Sequence, residues 1–449
     1  MAATGPGAVA PLTHGRIWRI AGPIVLSNAT VPLLGAVDTG VVGQLGTAAP
    51  IGAVGLGAVI LATVYWAFGF LRMGTSGLAA QAHGAGDGPE SSAILLRALI
   101  VAGVAGLVLI GLQGVLVWGA FRLSPASAQV EGMARTYLTI RIWGAPATIA
   151  LYAVMGWLLA TERSRGMMAV QLWINGLNVV LDLWFVLGLG WGVAGVASAS
   201  LIAEWSGLAL GLWLCRSAFG PAFAAARARI ADAAALRLML AVNGDIMIRS
   251  VLLQLCFTAF IFLGASHGDV TLAANQVLMQ FLSITAYALD GFAFAAETLV
   301  GQAVGARLAG GVRQATRLAM IWGFVGAGLL GLFFAVSGGP LIDLMTTSEA
   351  VRAEARVFLW WVVVAPLIGS AAWTWDGVFI GATLSRAMRQ VMVLCVGIYV
   401  LALAVLVPAF GNHGLWAALM VLNGARSVLM TRRYPEAVAK AGAKAGATG

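Results

Sequence analysis

Along this chain apolar residues collect into runs long enough to cross roughly 30 Å of hydrocarbon, each needing about 20 residues. Such runs recur twelve times and predict helices over residues 17–45, 51–80, 93–120, 133–160, 166–189, 192–215, 239–265, 269–303, 314–338, 353–381, 386–410 and 412–431. Residues 1–15 carry no basic segment followed by a short apolar stretch and a cleavage site, so the first run is expected to remain as span 1. The predicted class is an all-α integral membrane protein of twelve transmembrane helices.

Composition narrows this further. With 61% hydrophobic and 10% charged residues and a mean hydropathy of +0.94, a soluble two-domain protein is excluded. The formal charge of +9 does not point to nucleic acid, because the basic residues are scattered singly between apolar runs and form no dense stripe. Counted by side, they mark topology instead. Arg16, Arg19, Arg97, Arg163, Arg165, Arg216, Arg227, Arg229, Arg237, Arg307, Arg313, Arg317, Arg386, Arg389, Arg432, Arg433, Lys440 and Lys444 fall on one side, and Arg122, Arg135, Arg352 and Arg356 on the other. Both termini are therefore expected in the cytoplasm. Arg72, Arg141, Arg249 and Arg426 lie inside spans. Cys215, Cys256 and Cys395 sit in or beside apolar runs without metal-ligand spacing and read as small core residues.

The chain also repeats itself. Gln81 in LAAQAHGAGD matches Gln302 in LVGQAVGARL at an offset of 221, Ala160 and Thr161 match Ala382 and Thr383 at 222, Gly192, Gly195 and Ala199 match Gly411, Gly414 and Ala418 at 219, and Gly22 matches Gly244 at 222. Four matches within three residues of one offset predict two parallel-repeat lobes of six helices, an arrangement of secondary transporters. The expected division is an N-terminal lobe over 1–215, a cytoplasmic linker over 216–238, a C-terminal lobe over 239–431 and a cytoplasmic tail over 432–449.

Acids inside the spans carry the candidate chemistry. A charge at the bilayer centre costs roughly 2.5–3.5 kcal/mol even on the insertion scale. Seven acids lie within the predicted spans: Asp38, Asp182, Glu204, Asp245, Asp290, Glu297 and Asp376. Together they cost on the order of 20 kcal/mol if they face lipid, so they are expected to face a wet interior. Against four embedded arginines they leave three negative charges, which suits cations or protons. At about 1.5 Å per residue, Asp38 of span 1, Asp182 of span 5 and Ser200 of span 6 can share one level in the outer half, with Asn178 one turn from Asp182 on the same helix face. Asp245, Asp290, Glu297 and Asp376 form a second, inner-half group. Asp245 and Arg249, four residues apart, can alternatively form a plain buried ion pair. Glu204 and Arg72 have no evident partner in the sequence.

Two motifs carry less than they promise. Gly74-Thr75-Ser76-Gly77 spells the GxSG of intramembrane serine proteases, but His14, His83, His267 and His413 all lie in loops or at span ends, so no general base is available to it. The GxGxxG at Gly326–Gly331 lies within a predicted helix, with no strand before it, and reads as small-residue packing.

Six stretches taken together resemble the multidrug and toxic compound extrusion (MATE) antiporters, and within them the DinF-like, damage-inducible branch. They are VPLLGAVDTGVVGQLG, GFLRMGTSGLAAQAHGA, NVVLDLWFVLGLGWGVAG, NGDIMIRSVLLQLCF, TAYALDGFAFAAETLVGQAVGAR and DGVFIGAT, in that order along nearly the whole chain. The resemblance implies a proton-exchanging aspartate at Asp38, partners at Asn178 and Asp182, and a bend at Pro23. Ser200 stands where the family pattern has Thr, and keeps the hydroxyl. It further implies a monomer of the bacterial inner membrane that exports amphipathic, often cationic small molecules, without a cofactor. Its coupling ion is H+ or, since Asp38, Asn178 and Asp182 offer hard oxygen ligands, Na+. A lipid-linked precursor flippase is the alternative within transport. It would need a large, strongly cationic cavity, for which the embedded arginines are few and dispersed.

The charge count sets a test of topology. A cysteine introduced at Gly268 should react with an impermeant thiol reagent in intact cells and one at Gly220 should not; the opposite labelling would reverse the orientation.

Overall fold

The computed structural model describes residues 11–30, 37, 40–44, 48–123, 127–220 and 223–443. Asp38, Pro32 and Lys444 lie outside these residues. Hydrocarbon offers the backbone no hydrogen-bond partner, so each run closes its own bonds as helix, and no strand occurs among the described residues. In chain order the helices are α1 (His14–Asn28), α2 (Ala48–Trp66), α3 (Phe70–Gly84), α4 (Gly88–Gly111), α5 (Gln113–Leu123), α6 (Ala128–Arg141), α7 (Ala145–Ala160), α8 (Ser164–Asp182), α9 (Gly192–Leu214), α10 (Phe223–Arg229), α11 (Ala233–Ala265), α12 (Asp269–Gly305), α13 (Ala309–Met345), α14 (Glu349–Gly381) and α15 (Ser385–Gly442).

Ten stretches among the described residues are long and apolar enough to span a bilayer. The 58-residue α15 supplies two spans, because Gly411, at φ 56°, breaks it in the middle. α1, with 15 described residues, belongs to the run read as span 1, and with it these stretches account for the twelve runs of the sequence. Helix also runs past the predicted end at 431 to Gly442, since a helix need not stop where the apolar run does, and Arg432, Arg433, Glu436 and Lys440 continue it.

The internal repeat is visible in the turns. After α7, Thr161 N–H donates to Trp157 O and Arg163 N–H to Leu158 O; after α14, Ala382 N–H donates to Val378 O and Leu384 N–H to Phe379 O, all at the 221-residue offset. Glu162 (φ 57°) and Thr383 (φ 50°) take the left-handed conformation at the same place in these two turns. Gly86 (φ 74°) and Arg307 (φ 57°) do so after α3 and α12. Equal offsets in geometry and in sequence identify two copies of one fold.

Contacts divide the chain into two compact units, one of Leu26–Ala79 and Asp87–Leu238, the other of Met1–Val25, Ala80–Gly86 and Met239–Gly449. In the first, α8 packs on α9 and α4 on α7 through close glycine contacts: Gly207 abuts Ile174 and Gly106 abuts Pro146. The connection after α9 belongs to this unit. Arg97 donates to Arg229 O at 2.6 Å and pairs with Glu90 at 2.7 Å, and Arg229 donates to both oxygens of Asp87, which caps α4 by accepting from Glu90 N–H. Burial pushes the Asp87 carboxyl up, but the Arg229 and Glu90 hydrogen bonds and the Arg229 charge outweigh it and hold it below the ordinary carboxylate range.

In the second unit, α1 buries Ile17, Ile20, Ala21 and Ile24, an i, i+3, i+4, i+7 stripe. Trp18 meets Phe292 and Trp322 edge-on at 5.4 and 5.1 Å. The ends of α3 and α12 cross so closely that a Cβ on Gly84 would strike the Gln302 backbone and one on Gly305 the Gln81 backbone, a reciprocal contact between repeat-related residues. The amide of Gln81 donates to Gly381 O at 2.8 Å and to Thr383 Oγ1 at 3.0 Å, and Arg16 donates to Gln302 Oε1 at 2.8 Å. Replacing Gly305 by Val should overpack this crossing and cost about 1–3 kcal/mol, read as a lower unfolding temperature in detergent. Gly328→Val on α13, where a Cβ meets nothing within 4 Å, should leave it unchanged.

Candidate functional site

Helix α8 carries a polar stripe through an apolar span. Gln171, Asn175, Asn178 and Asp182 follow i, i+4, i+7, i+11 spacing and so share one face. Asn175, Asn178 and Asp182 are 7%, 2% and 0% exposed, as the stripe faces protein and not lipid. Gln171 donates to Asn175 Oδ1 at 3.0 Å, Asn175 to Thr30 Oγ1 at 2.8 Å, and Asn178 to Ser200 Oγ at 3.0 Å. The expected company of Asn178 and Ser200 is thus a direct hydrogen bond between α8 and α9. Thr30, eight residues before Asp38, ties span 1 to the same stripe. Gln171, Asn175 and Thr30 were not among the expected site residues, although the helical spacing of the first two was legible.

Immediately after Asp182 the helix changes form. Leu183–Gly188 is a π-helical turn, closed by Leu189 N–H donating to Trp184 O. Such turns loosen the i to i−4 ladder and recur at functional sites. Asp182 therefore stands, fully buried, at the one place in α8 where the backbone departs from α-helix.

The same unit contains an ion pair that the sequence did not reveal. Arg141 forks onto Glu204, Nη1 to Oε2 at 2.6 Å and Nη2 to Oε1 at 2.8 Å. Glu204, which showed no evident partner, thus has one, because its helix α9 lies against α6 in the fold. It follows Ser200 by one turn on α9. Arg141 ends α6 just before the 3₁₀ turn Ile142–Gly144, and Tyr65 donates its hydroxyl to the Arg141 carbonyl at 3.3 Å. Gly144 leaves no room for a Cβ beside Glu204 Oε2.

The inner-half acids are arranged otherwise than expected. Asp245 and Arg249 do not pair with each other. Asp245 binds Arg389 at 2.8 Å and accepts from Ser385 Oγ at 2.9 Å, while Arg249 binds Asp376. Interhelical neighbours on α14 and α15 win over the i+4 partner because they let both groups be satisfied across the packed interior. Arg426 joins Asp376 at 2.7 Å and also donates to Asn423 Oδ1 at 3.3 Å. Glu297 is buried on α12, and Asp290 half-buried one face-repeat earlier. Asp245 and Asp376 are thus each bound to arginines on other helices.

Ser76 of the GxSG segment is fully buried, donates to Met73 O at 3.0 Å and packs against Gly156, so it serves helix packing. No cluster of three or more His, Cys, Asp or Glu able to hold a metal ion occurs among the described residues. Breaking the Arg141 pair alone, by Glu204→Leu, should destabilise the protein by about 3–5 kcal/mol, whereas Arg141→Leu with Glu204→Leu should recover most of it, measured by thermal unfolding of the purified variants.

A family model described as MatE matches residues 23–184 and 246–406. The chain is 38% identical over 422 residues to DNA damage-inducible protein F of Escherichia coli K12, covering 93% of this chain and 92% of that protein. It is 26% identical over 431 residues to a probable multidrug resistance protein NorM of Neisseria meningitidis serogroup B, covering 90% of each. The Vibrio cholerae MATE transporter VcmN in its bent form superposes with a TM-score of 0.85 at 20% identity, over 95% of this chain and 97% of that one, a likeness of fold.

Proposed function

The chain belongs to the MatE family of transporters, and on that footing we propose that it is a secondary active antiporter exporting amphipathic, often cationic compounds in exchange for inward H+. It works as a monomer in the bacterial cytoplasmic membrane with both termini inside. The observation that supports this reading best is Asp182, fully buried beside the Asn178–Ser200 hydrogen bond where α8 turns π-helical.

Burial in low dielectric disfavours the charged carboxylate, and a second acid nearby disfavours it further. Asp38 and Asp182 are the acids assigned to the proton, with Asn178 and Ser200 rearranging their hydrogen bonds when it binds. Removing charge from the stripe lets span 1 bend at Pro23, where the ring leaves no N–H for the helix ladder. The bend narrows the cavity of the N-terminal repeat and releases substrate outward. Catalysis in the enzymatic sense plays no part: transport needs a charge cycle and two conformations, which ligand affinity differences bias.

Asp182→Asn and Asp38→Asn should each reduce export to background while leaving expression and thermal stability intact. The driving ion is read by reconstituting the purified protein in liposomes with a pH gradient and a Na+ gradient imposed separately. Export should follow the pH gradient. Export driven by Na+ alone at constant pH would replace H+ by Na+ at the same residues.

A further inference from the structure

Beyond its last apolar run the chain stays attached to the rest of its unit. Ala437 and Ala441 of α15 are fully buried, at i+7 and i+11 from the buried Met430. Tyr434, at i+4 on the same face, lies against the Trp375 ring of α14 at 4.9 Å, and Arg433 donates to Gln390 Oε1 at 3.0 Å. The segment expected as a plain tail is thus a docked amphipathic extension of α15. From it Lys440 reaches the turn after α14, donating to Ala382 O at 2.8 Å and to Thr383 Oγ1 at 2.5 Å.

That turn has needs of its own. α14 ends at Gly381, so Gly381 O and Ala382 O are among the carbonyls without an intrahelical partner, at the negative end of the helix dipole. Gln81 of α3 donates to the first and Lys440 to the second. Thr383 follows at φ 50°, where a β-branched side chain is strained. Its hydroxyl oxygen accepts from both Gln81 Nε2 and Lys440 Nζ. A hydroxyl that accepts twice must turn its own hydrogen away from both donors. Lys440 therefore orients the Thr383 oxygen toward Gln81. Its side chain is exposed, so it adds little stability by itself; its effect lies in that orientation.

The place of Gln81 matters because its backbone is what a Cβ on Gly305 of α12 would strike, while one on Gly84 would strike the backbone of Gln302. Holding Gln81 on Gly381 and Thr383 holds the crossing of α3 and α12. All these residues belong to one compact unit. With both termini inside, the crossing faces the cytoplasm, and an exporter that loads there must part such ends and re-form them in each cycle.

We propose that Lys440 is a positioning residue for this closure: through the Thr383 hydroxyl it keeps Gln81 in place and biases the α3–α12 crossing toward its closed arrangement. This rests on the exporter reading and gives the C-terminal extension a part in it.

The test reads amide hydrogen exchange of the purified full-length protein by mass spectrometry, together with export of ethidium from liposomes. In Lys440→Met, peptides covering 80–86 and 300–307 should exchange about threefold faster or more, while 263–272, at the opposite end of α12, stays as in the wild type. Lys440→Arg, which keeps a charged donor, should restore protection. In a Thr383→Ala background Lys440→Met should add little, because the hydroxyl it acts through is gone. Favouring the open form should lower the half-saturating ethidium concentration at the loading face together with the maximal rate. Unchanged exchange over 80–86, a uniform rise in all peptides, an undiminished effect in the Thr383→Ala background, or a lower rate at constant half-saturation would each overturn the proposal. Exchange is read without transport, so a wild type that moves no ethidium under either ion gradient would fail the exporter reading alone.

Discussion

A charge buried among apolar helices has no water to turn to, so its partner must be another side chain, and that need shapes both repeats of this transporter. Arg141 finds Glu204, Asp245 finds Arg389, and Asp376 finds Arg249 and Arg426. Each of these links joins two helices that sequence separates by 50 residues or more. An ion pair in such surroundings roughly balances its own desolvation, so its effect lies less in net stability than in which helices must stay together. Removing one member would leave the other charged and alone, which is far costlier than removing both.

Polar groups without formal charge extend the same logic along α8. Asparagine can donate and accept at once, so Gln171, Asn175 and Thr30 form one chain of hydrogen bonds and Asn178 and Ser200 a second link, on the face that carries the fully buried Asp182. The π-helical turn that follows Asp182 breaks the regular i to i−4 ladder next to this acid. Charge pairs and a hydrogen-bonded stripe are different devices, and the N-terminal repeat holds both: the Arg141–Glu204 fork one turn beyond Ser200, and the stripe itself.

The repeats keep the same turns while their polar centres differ. Gly86 and Arg307, and Glu162 and Thr383, hold the same left-handed conformations, since the turn geometry depends on backbone and tolerates many side chains. The polar centres depend on side chains alone. In the N-terminal repeat that centre is an acid among amides and a hydroxyl; in the C-terminal repeat it is a carboxylate between two arginines.

By itself the sequence determined the all-helical class, the twelve spans and the internal repeat, because hydrocarbon thickness and backbone satisfaction act on each run locally. It also determined the face shared by Asn178 and Asp182, since helix periodicity needs no knowledge of neighbours. The motifs around them sufficed to recognise the family. Only the tertiary structure decided where the charges went. Asp245 and Arg249 stand at i and i+4, yet each is drawn to a different helix, and Glu204 looked solitary until α6 was laid beside α9. Partner choice over a distance of 50 to 144 residues follows from which helices touch, and a linear pattern of polar and apolar positions contains no record of that.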